Sequence, residues 1–246
     1  MKIAMLSDTH TFHNLIEFPE EIDLFLYAGD FTNRGSLADT VSFLEWLRTI
    51  PAKHICFVAG NHDIYTDPAR YHKHTSNFSM SYKEILEREL YLKIKDLLDN
   101  LPDHIHYLEN ESVEIEGLHI WGSPVSPSFG YGWAWNRNRG EDIKKIWGKI
   151  PKNTNILITH TPPYGMLDDV KEYARPNEDP HVGCKDLLDR IKKLPKLQLN
   201  VYGHIHDNWA VERRHVSNTR HVLFCNAACL TNNYDLLTKY PHIIYL

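Results

Sequence analysis

The chain has 246 residues, 42% hydrophobic and 24% charged, with a formal net charge of −5. That is apolar material enough for a sizeable core, in one large domain or two small ones. The acidic balance argues against a binder that lays a broad basic face on nucleic acid.

Residues 2–7 form a short apolar run that reads as a buried strand, and it ends in Asp8-Thr9-His10. Residues 23–28 (DLFLYA) are a second expected strand, ending in Gly29-Asp30. Ser36 and Asp39 make a candidate capping box ahead of a helix with the apolar stripe Leu37, Val41, Leu44 and Leu47. Pro51 stops it. Residues 54–59 (HICFVA) are a third strand, ending in Gly60-Asn61-His62-Asp63. The polar stretch 64–81 reads as a long loop. Residues 82–101 carry the strongest helical pattern, with Ile85, Leu86, Leu90, Ile94, Leu97, Leu98 and Leu101 on one stripe and Pro102 as the stop. Residues 112–115 and 118–121 alternate around Glu116-Gly117, a hairpin pattern.

Residues 123–140 (SPVSPSFGYGWAWNRNRG) are rich in Gly, Pro and aromatics and read as an ordered functional loop. Tyr131, Trp133 and Trp135 interleave with glycines there, so Trp133 and Trp135 are candidate stacking residues for a nucleotide base. Residues 155–159 (NILIT) are a strand ending in His160. Residues 185–193 read as a helix with Leu187, Leu188 and Ile191 inward. Residues 198–202 are a strand ending in Gly203-His204-Ile205-His206, 222–225 another ending in Asn226, and 243–246 an edge strand. No low-complexity segment or internal repeat is visible, and residues 1–246 read as a single domain.

No apolar stretch approaches membrane-spanning length, and the run after Met1-Lys2 is too short for the apolar part of a signal peptide. The four cysteines form no CxxC pair, and Cys56 lies within an apolar run. Reduced core thiols fit a reducing compartment, so a soluble, cytoplasmic protein is expected.

Five strand ends thus carry Asp8-x-His10, Gly29-Asp30, Gly60-Asn61-His62-Asp63, His160 and Gly203-His204-x-His206. Singly, each has an ordinary reading. Asp8 and Asp30 suit caps or turns, Asn61 a left-handed turn, and His160 a loop. Jointly, those readings leave unexplained why all fall at strand ends, where open α/β sheets bind their ligands. Three oxygen donors and four imidazoles suit two divalent metals, which a carboxylate can bridge. Nitrogen and oxygen donors without thiolate suit Mn, Fe or Zn.

The ordered set resembles the calcineurin-like metallophosphoesterases, whose signature runs Asp-x-His, Gly-Asp, Gly-Asn-His-Asp/Glu, a lone His, then Gly-His-x-His. All of it stands here between Asp8 and His206. Gly29-Asp30-Phe31-Thr32, the Trp-rich loop, His160-Thr161-Pro162-Pro163-Tyr164-Gly165 and Val182-Gly183-Cys184 resemble the compact branch related to brain-type cyclic nucleotide phosphodiesterases. The resemblance implies an α/β fold, a four-layer α/β/β/α sandwich of two mixed sheets flanked by helices. It implies two divalent ions, Mn²⁺ first, with Fe, Zn or Mg as alternatives. Asp8, His10 and His206 would hold one ion, Asn61, His160 and His204 the other, and Asp30 would bridge them. His62 would be no ligand but the general acid, with Asp63 orienting its ring. The activity implied is hydrolysis of a phosphodiester, a cyclic nucleotide first, by metal-activated hydroxide.

Arg34 stands four residues after Asp30, the spacing of a phosphate-binding Arg in the protein phosphatase branch. The chain departs from that branch at Ser7 and Thr11, which flank the Asp8-x-His10 block. Arg34 is therefore a candidate substrate contact resting on spacing alone. A nuclease or phosphomonoesterase of the same superfamily, or a non-catalytic protein-binding scaffold, are the rival readings. His72 or His74 could line the mouth of the site. Nucleic acid is not the favoured partner, and the sequence leaves the oligomeric state open.

Overall fold

The computed structural model describes residues 1–18, 21–70, 81–170 and 178–246. Its first half runs β1 (Lys2–Leu6), β2 (Ile22–Ala28), α1 (Leu37–Leu47), β3 (Ala52–Val58), α2 (Tyr82–Asp99), β4 (Ile105–Tyr107), β5 (Glu111–Ile115) and β6 (Leu118–Ser123). Then follow β7 (Ser126–Pro127), β8 (Asn136–Arg137), α3 (Glu141–Trp147), β9 (Ile156–Thr159), α4 (Lys185–Ile191), β10 (Leu199–Tyr202), β11 (Ala210–Ser217), β12 (Arg220–Asn226) and β13 (His242–Tyr245).

Two sheets form. One has the order β13-β1-β2-β3-β4, parallel except for β13. The other has the order β11-β12-β10-β9-β6-β5, parallel in its four central strands and antiparallel at both edges. Parallel strands are covered on both faces, which is why β1, β2, β3, β9 and β10 read as continuous apolar runs. Alternate residues then sort to two cores. Ile3, Met5, Leu24, Leu26, Cys56 and Val58 meet Ile120, Ile156, Ile158, Leu199 and Val201 between the sheets. Phe25, Tyr27 and Phe57 face outward onto Phe43, Leu44 and Trp46 of α1, and Trp121 and Leu157 face outward on the side of α3 and α4. The result is the expected α/β/β/α stack.

The helices depart from their sequence patterns. Ser36 caps α1 by accepting the Asp39 N–H, as its position predicts. The buried face is Thr40, Phe43, Leu44, Trp46 and Leu47, so the aromatics rather than Val41 make the stripe. Helix α2 opens on a reciprocal Ser81–Glu84 capping box. Only its second half is covered: Ile94 and Leu98 are buried, while Ile85 and Leu86 are exposed. Strands β4 and β11 and helix α3 are not legible in the sequence. β4 has three residues, α3 seven, and β11 alternates weakly because much of it stays in solvent.

Candidate metal centre

Every sequence-predicted metal ligand lies at the carboxyl end of a central parallel strand. Asp8 and His10 follow β1, Asp30 follows β2, Asn61 follows β3, His160 follows β9, and His204 and His206 follow β10. Asp8 (φ 54°), His10 (φ 40°), Asp30 (φ 56°) and His204 (φ 68°) occupy left-handed backbone. For residues other than glycine this costs about 1–3 kcal/mol each, and such strain clusters at functional sites. Here the turn it produces aims the side chains of both sheets into one crevice.

Glycine makes the close approach feasible. A Cβ on Gly203 would lie 1.8 Å from Asp8 Oδ2, and one on Gly60 2.3 Å from Asp30 Oδ1.

The side chains converge in overlapping groups. Asp8, His10 and His206 offer donor atoms within 4.8 Å of one another, as do Asp30, His160 and His204, and also His10, Asp30 and His62. The Asp30 Oδ2 stands 3.3 Å from His160 Nε2 and 3.8 Å from His10 Nε2. Asn61 Oδ1 lies 2.8 Å from His160 Nε2. Asp8 Oδ1 lies 3.4 Å from His206 Nε2 and accepts the His204 N–H.

Two histidines are fixed by their other nitrogen. His160 Nδ1 donates to the Ala28 carbonyl at 2.9 Å, and His206 Nδ1 to the Thr231 carbonyl at 3.0 Å. A carbonyl only accepts, so each Nε2 is left to face the crevice, the usual arrangement of a metal-ligating imidazole. Among the described residues neither ring nitrogen of buried His10 has a hydrogen-bond partner, a costly state that a cation would relieve.

Charge points the same way. Burial lowers the pKa of His10 to about 4 and of His204 to about 3, leaving both neutral and able to ligate. Burial disfavours charge on His160 and Asp30 too, but each outweighs that for the other: His160 is held above its usual value and Asp30 well below. The crevice thus favours positive charge beside Asp30. The donor set fits divalent metal.

His62 is partly exposed at the mouth, its ring 4.5 Å from that of His10. The expected role of Asp63 is corrected by the structure. Asp63 does not orient the His62 ring. Its buried carboxylate accepts the N–H groups of Gly60 (2.8 Å), Asp30 (3.0 Å) and Thr32 (2.9 Å), clamping the second and third strand ends together. The His62 Nδ1 meets the Asn33 carbonyl instead, at 2.7 Å.

The two tryptophans separate. Trp133 is half-buried and lies against His62, ring centroids 4.3 Å apart, with the Arg34 guanidinium 5.6 Å over its face. Trp135 is no substrate contact: it is 1% exposed and its Nε1 donates to Thr66 Oγ1 at 2.8 Å. Residues two apart on an extended segment would share a face, but Trp135 sits at φ 59°, which turns its ring into the core.

Two further rings line the crevice without being marked as site residues in the sequence: Phe129, 4.9 Å from the His204 ring, and Tyr234, 4.9 Å from that of His10. Phe129 lies in a loop already marked by its aromatics. Tyr234 carries no signal, because it lies 28 residues past the last motif residue, His206. His72 and His74 lie outside the described residues.

No helix among the described residues is long and apolar enough to cross a membrane. A family model described as calcineurin-like phosphoesterase matches residues 1–208. Human metallophosphoesterase domain-containing protein 1 is 34% identical over 95% of this chain and 68% of its own length. A UPF0046 protein of Caenorhabditis elegans is 30% identical over the whole chain and 75% of its own length. A solved crystal structure at 14% identity superposes with a TM-score of 0.60 over 92% of this chain and 90% of that one, a likeness of fold. With the family model and the human relative agreeing over most of its length, this chain belongs to the calcineurin-like phosphoesterase family, whose members are metal-dependent phosphoester hydrolases.

Proposed function

We propose that the chain is a dinuclear phosphodiesterase acting on cyclic nucleotides. The observation that carries the reading is that the Asp30 carboxylate lies within donor reach of His10 on one side and of His160 and His204 on the other. Asp8, His10 and His206 would hold one divalent cation, Asn61, His160 and His204 the second, and Asp30 would serve both. Bound there, such cations supply Lewis-acid charge for phosphoryl oxygens and lower the pKa of water. Nitrogen and oxygen donors without thiolate favour Mn²⁺, with Fe, Zn or Mg as alternatives.

His62 supplies the proton to the leaving oxygen. The Asn33 carbonyl fixes the proton on Nδ1, so Nε2 is the atom that gains and releases the mobile one. Trp133 holds one face of the ring. Arg34, above Trp133, contributes positive charge at the mouth for a phosphate oxygen. Trp133 and Phe129 support a nucleotide substrate, since exposed aromatic faces stack on bases. The chain works as one unit, because its ligand sets join residues 8 to 206. All four cysteines are free and buried, which supports a cytoplasmic site of action.

The test is an activity screen of protein loaded in turn with Mn²⁺, Fe²⁺, Zn²⁺ and Mg²⁺, against monoesters, diesters, cyclic nucleotides and single-stranded DNA. The highest kcat/KM is expected for a cyclic nucleotide with Mn²⁺. A preference for monoesters or DNA would overturn the substrate, and activity without metal would overturn the mechanism.

A further inference from the structure

Tyr234 stands at the mouth on left-handed backbone. It lies at φ 64°, a true outlier for a bulky residue. The turn that carries it does not need its ring. The Thr231 carbonyl accepts the Tyr234 N–H at 2.9 Å, and Thr231 Oγ1 accepts the N–H groups of Asn233 and Asp235. That same carbonyl holds His206 Nδ1. One backbone oxygen therefore places a candidate ligand and an aromatic ring together.

The strain turns the ring over the site instead of into the core. Its centroid is 4.9 Å from that of His10, 5.6 Å from His206 and 6.4 Å from His62, edge-on to all three, and 41% of the residue stays exposed. Trp133 approaches the same His62 ring at 4.3 Å, with Arg34 over its face. Phe129 stacks beside Trp133, ring centroids 6.3 Å apart, and reaches His204 of the other cluster at 4.9 Å. Two rings thus adjoin the His62 imidazole, and the third runs on from Trp133 to the second cluster.

We infer that Tyr234 and Trp133 form a leaving-group subsite that takes an alcohol bearing a planar ring, as a nucleoside does. This rests on the reading of His62 as proton donor, because whatever adjoins that imidazole meets the substituent of the departing oxygen. Tyr234 contributes its ring face and edge to the planar group, and the phenol oxygen is secondary. A ring-bearing alcohol gains from this wall about tenfold in affinity over one without a ring, the lower part of the range for base–aromatic stacking. The subsite then selects among diesters by the leaving alcohol rather than by the phosphate.

The experiment uses the full chain loaded with Mn²⁺, hydrolysis of bis(4-nitrophenyl) phosphate as the reporter, and adenosine and ribose as product-like inhibitors. Tyr234→Gly removes the ring and relieves the backbone. Expected are a rise of about tenfold in the Ki of adenosine, a change within twofold for ribose, and metal content equal to wild type. Tyr234→Phe should stay within threefold of wild type for adenosine. An unchanged adenosine Ki in Tyr234→Gly overturns the subsite. So do equal shifts for adenosine and ribose, or loss of metal, which would make the residue a prop for His206. A Tyr234→Phe variant as weak as Tyr234→Gly would move the contact to the phenol oxygen and overturn the ring role. Wild-type protein that hydrolyses no diester with any metal overturns the parent reading as well, an outcome distinct from all of these.

Discussion

A Cβ on Gly203 would lie 1.8 Å from Oδ2 of Asp8 and 2.2 Å from Oγ of Ser7. The first residue of the Gly-His-x-His block is therefore a space requirement set by the Asp8-x-His10 block, almost two hundred residues earlier. Gly203→Ala should push the Asp8 carboxylate off its place beside His206. The expected result is a metal affinity lower by about 10–100-fold, the scale of a lost supporting contact, with a secondary fall in stability. Chelator competition on wild type and variant measures it. Equal affinities would mean that the strand end yields without cost.

Asp30 lies within donor reach of His10 on one side and of His160 and His204 on the other, so Asp30→Ala should be the most damaging single change among the candidate ligands. Metal content should fall from two ions per chain to one or none, and kcat by at least about 10³-fold. Elemental analysis alongside kinetics reads both. One ion in fully active wild-type protein would defeat the dinuclear reading.

His62→Ala should separate substrates by leaving group. A nitrophenolate departs without a proton and a ribose alkoxide does not. The loss on nucleotide diesters should be about 10²–10⁴-fold in kcat, with a much milder loss on nitrophenyl diesters and no change in metal content. Metal content matters because His62 also falls within reach of His10 and Asp30. If metal is lost and both substrates suffer alike, His62 is a ligand.

Asp63→Asn should behave differently. Its carboxylate accepts three backbone N–H groups and the Thr32 hydroxyl. An amide would turn a donor toward donors, costing about 1–3 kcal/mol for each bond left unmade. Thermal unfolding should show a clear loss of stability, and kcat should drop equally on both substrate types. A leaving-group dependence like that of His62→Ala would restore Asp63 as a partner of the ring.

Buried His13 gives a stability effect with a defined pH window. Its ring packs on Phe43 and Trp46, and burial lowers its pKa to about 4. An unfolded histidine binds a proton near 6.5, so on acidification the unfolded state takes up the proton first. Stability should therefore fall as pH drops from about 6.5 to about 4, by up to about 3 kcal/mol, and level off below. His13→Gln should flatten this slope while lowering stability at neutral pH through lost packing. Denaturant midpoints across pH 4–8 for both proteins isolate the contribution, since His10 and His204 are common to both.

The letters of the chain carried the parallel strands and the order of the donors behind them. A strand covered on both faces must be written as an unbroken apolar run, so a polar residue at its end stands out. They also marked the loop with Trp133. What they could not determine were directions set by single dihedral angles and by distant chain. Trp133 and Trp135 are equivalent as letters, and the left-handed turn at Trp135 alone sends one ring to the mouth and the other into the core. Asp63 follows His62 directly, yet the donors from Gly60, Asp30 and Thr32 claim its carboxylate, leaving the ring to a carbonyl from another loop. Tyr234 belongs to no motif and reaches His10 only because the Thr231 carbonyl joins its turn to His206. Apolar periodicity records burial along one strand. Which side chains meet across two sheets is decided when those sheets pack, and no local pattern carries it.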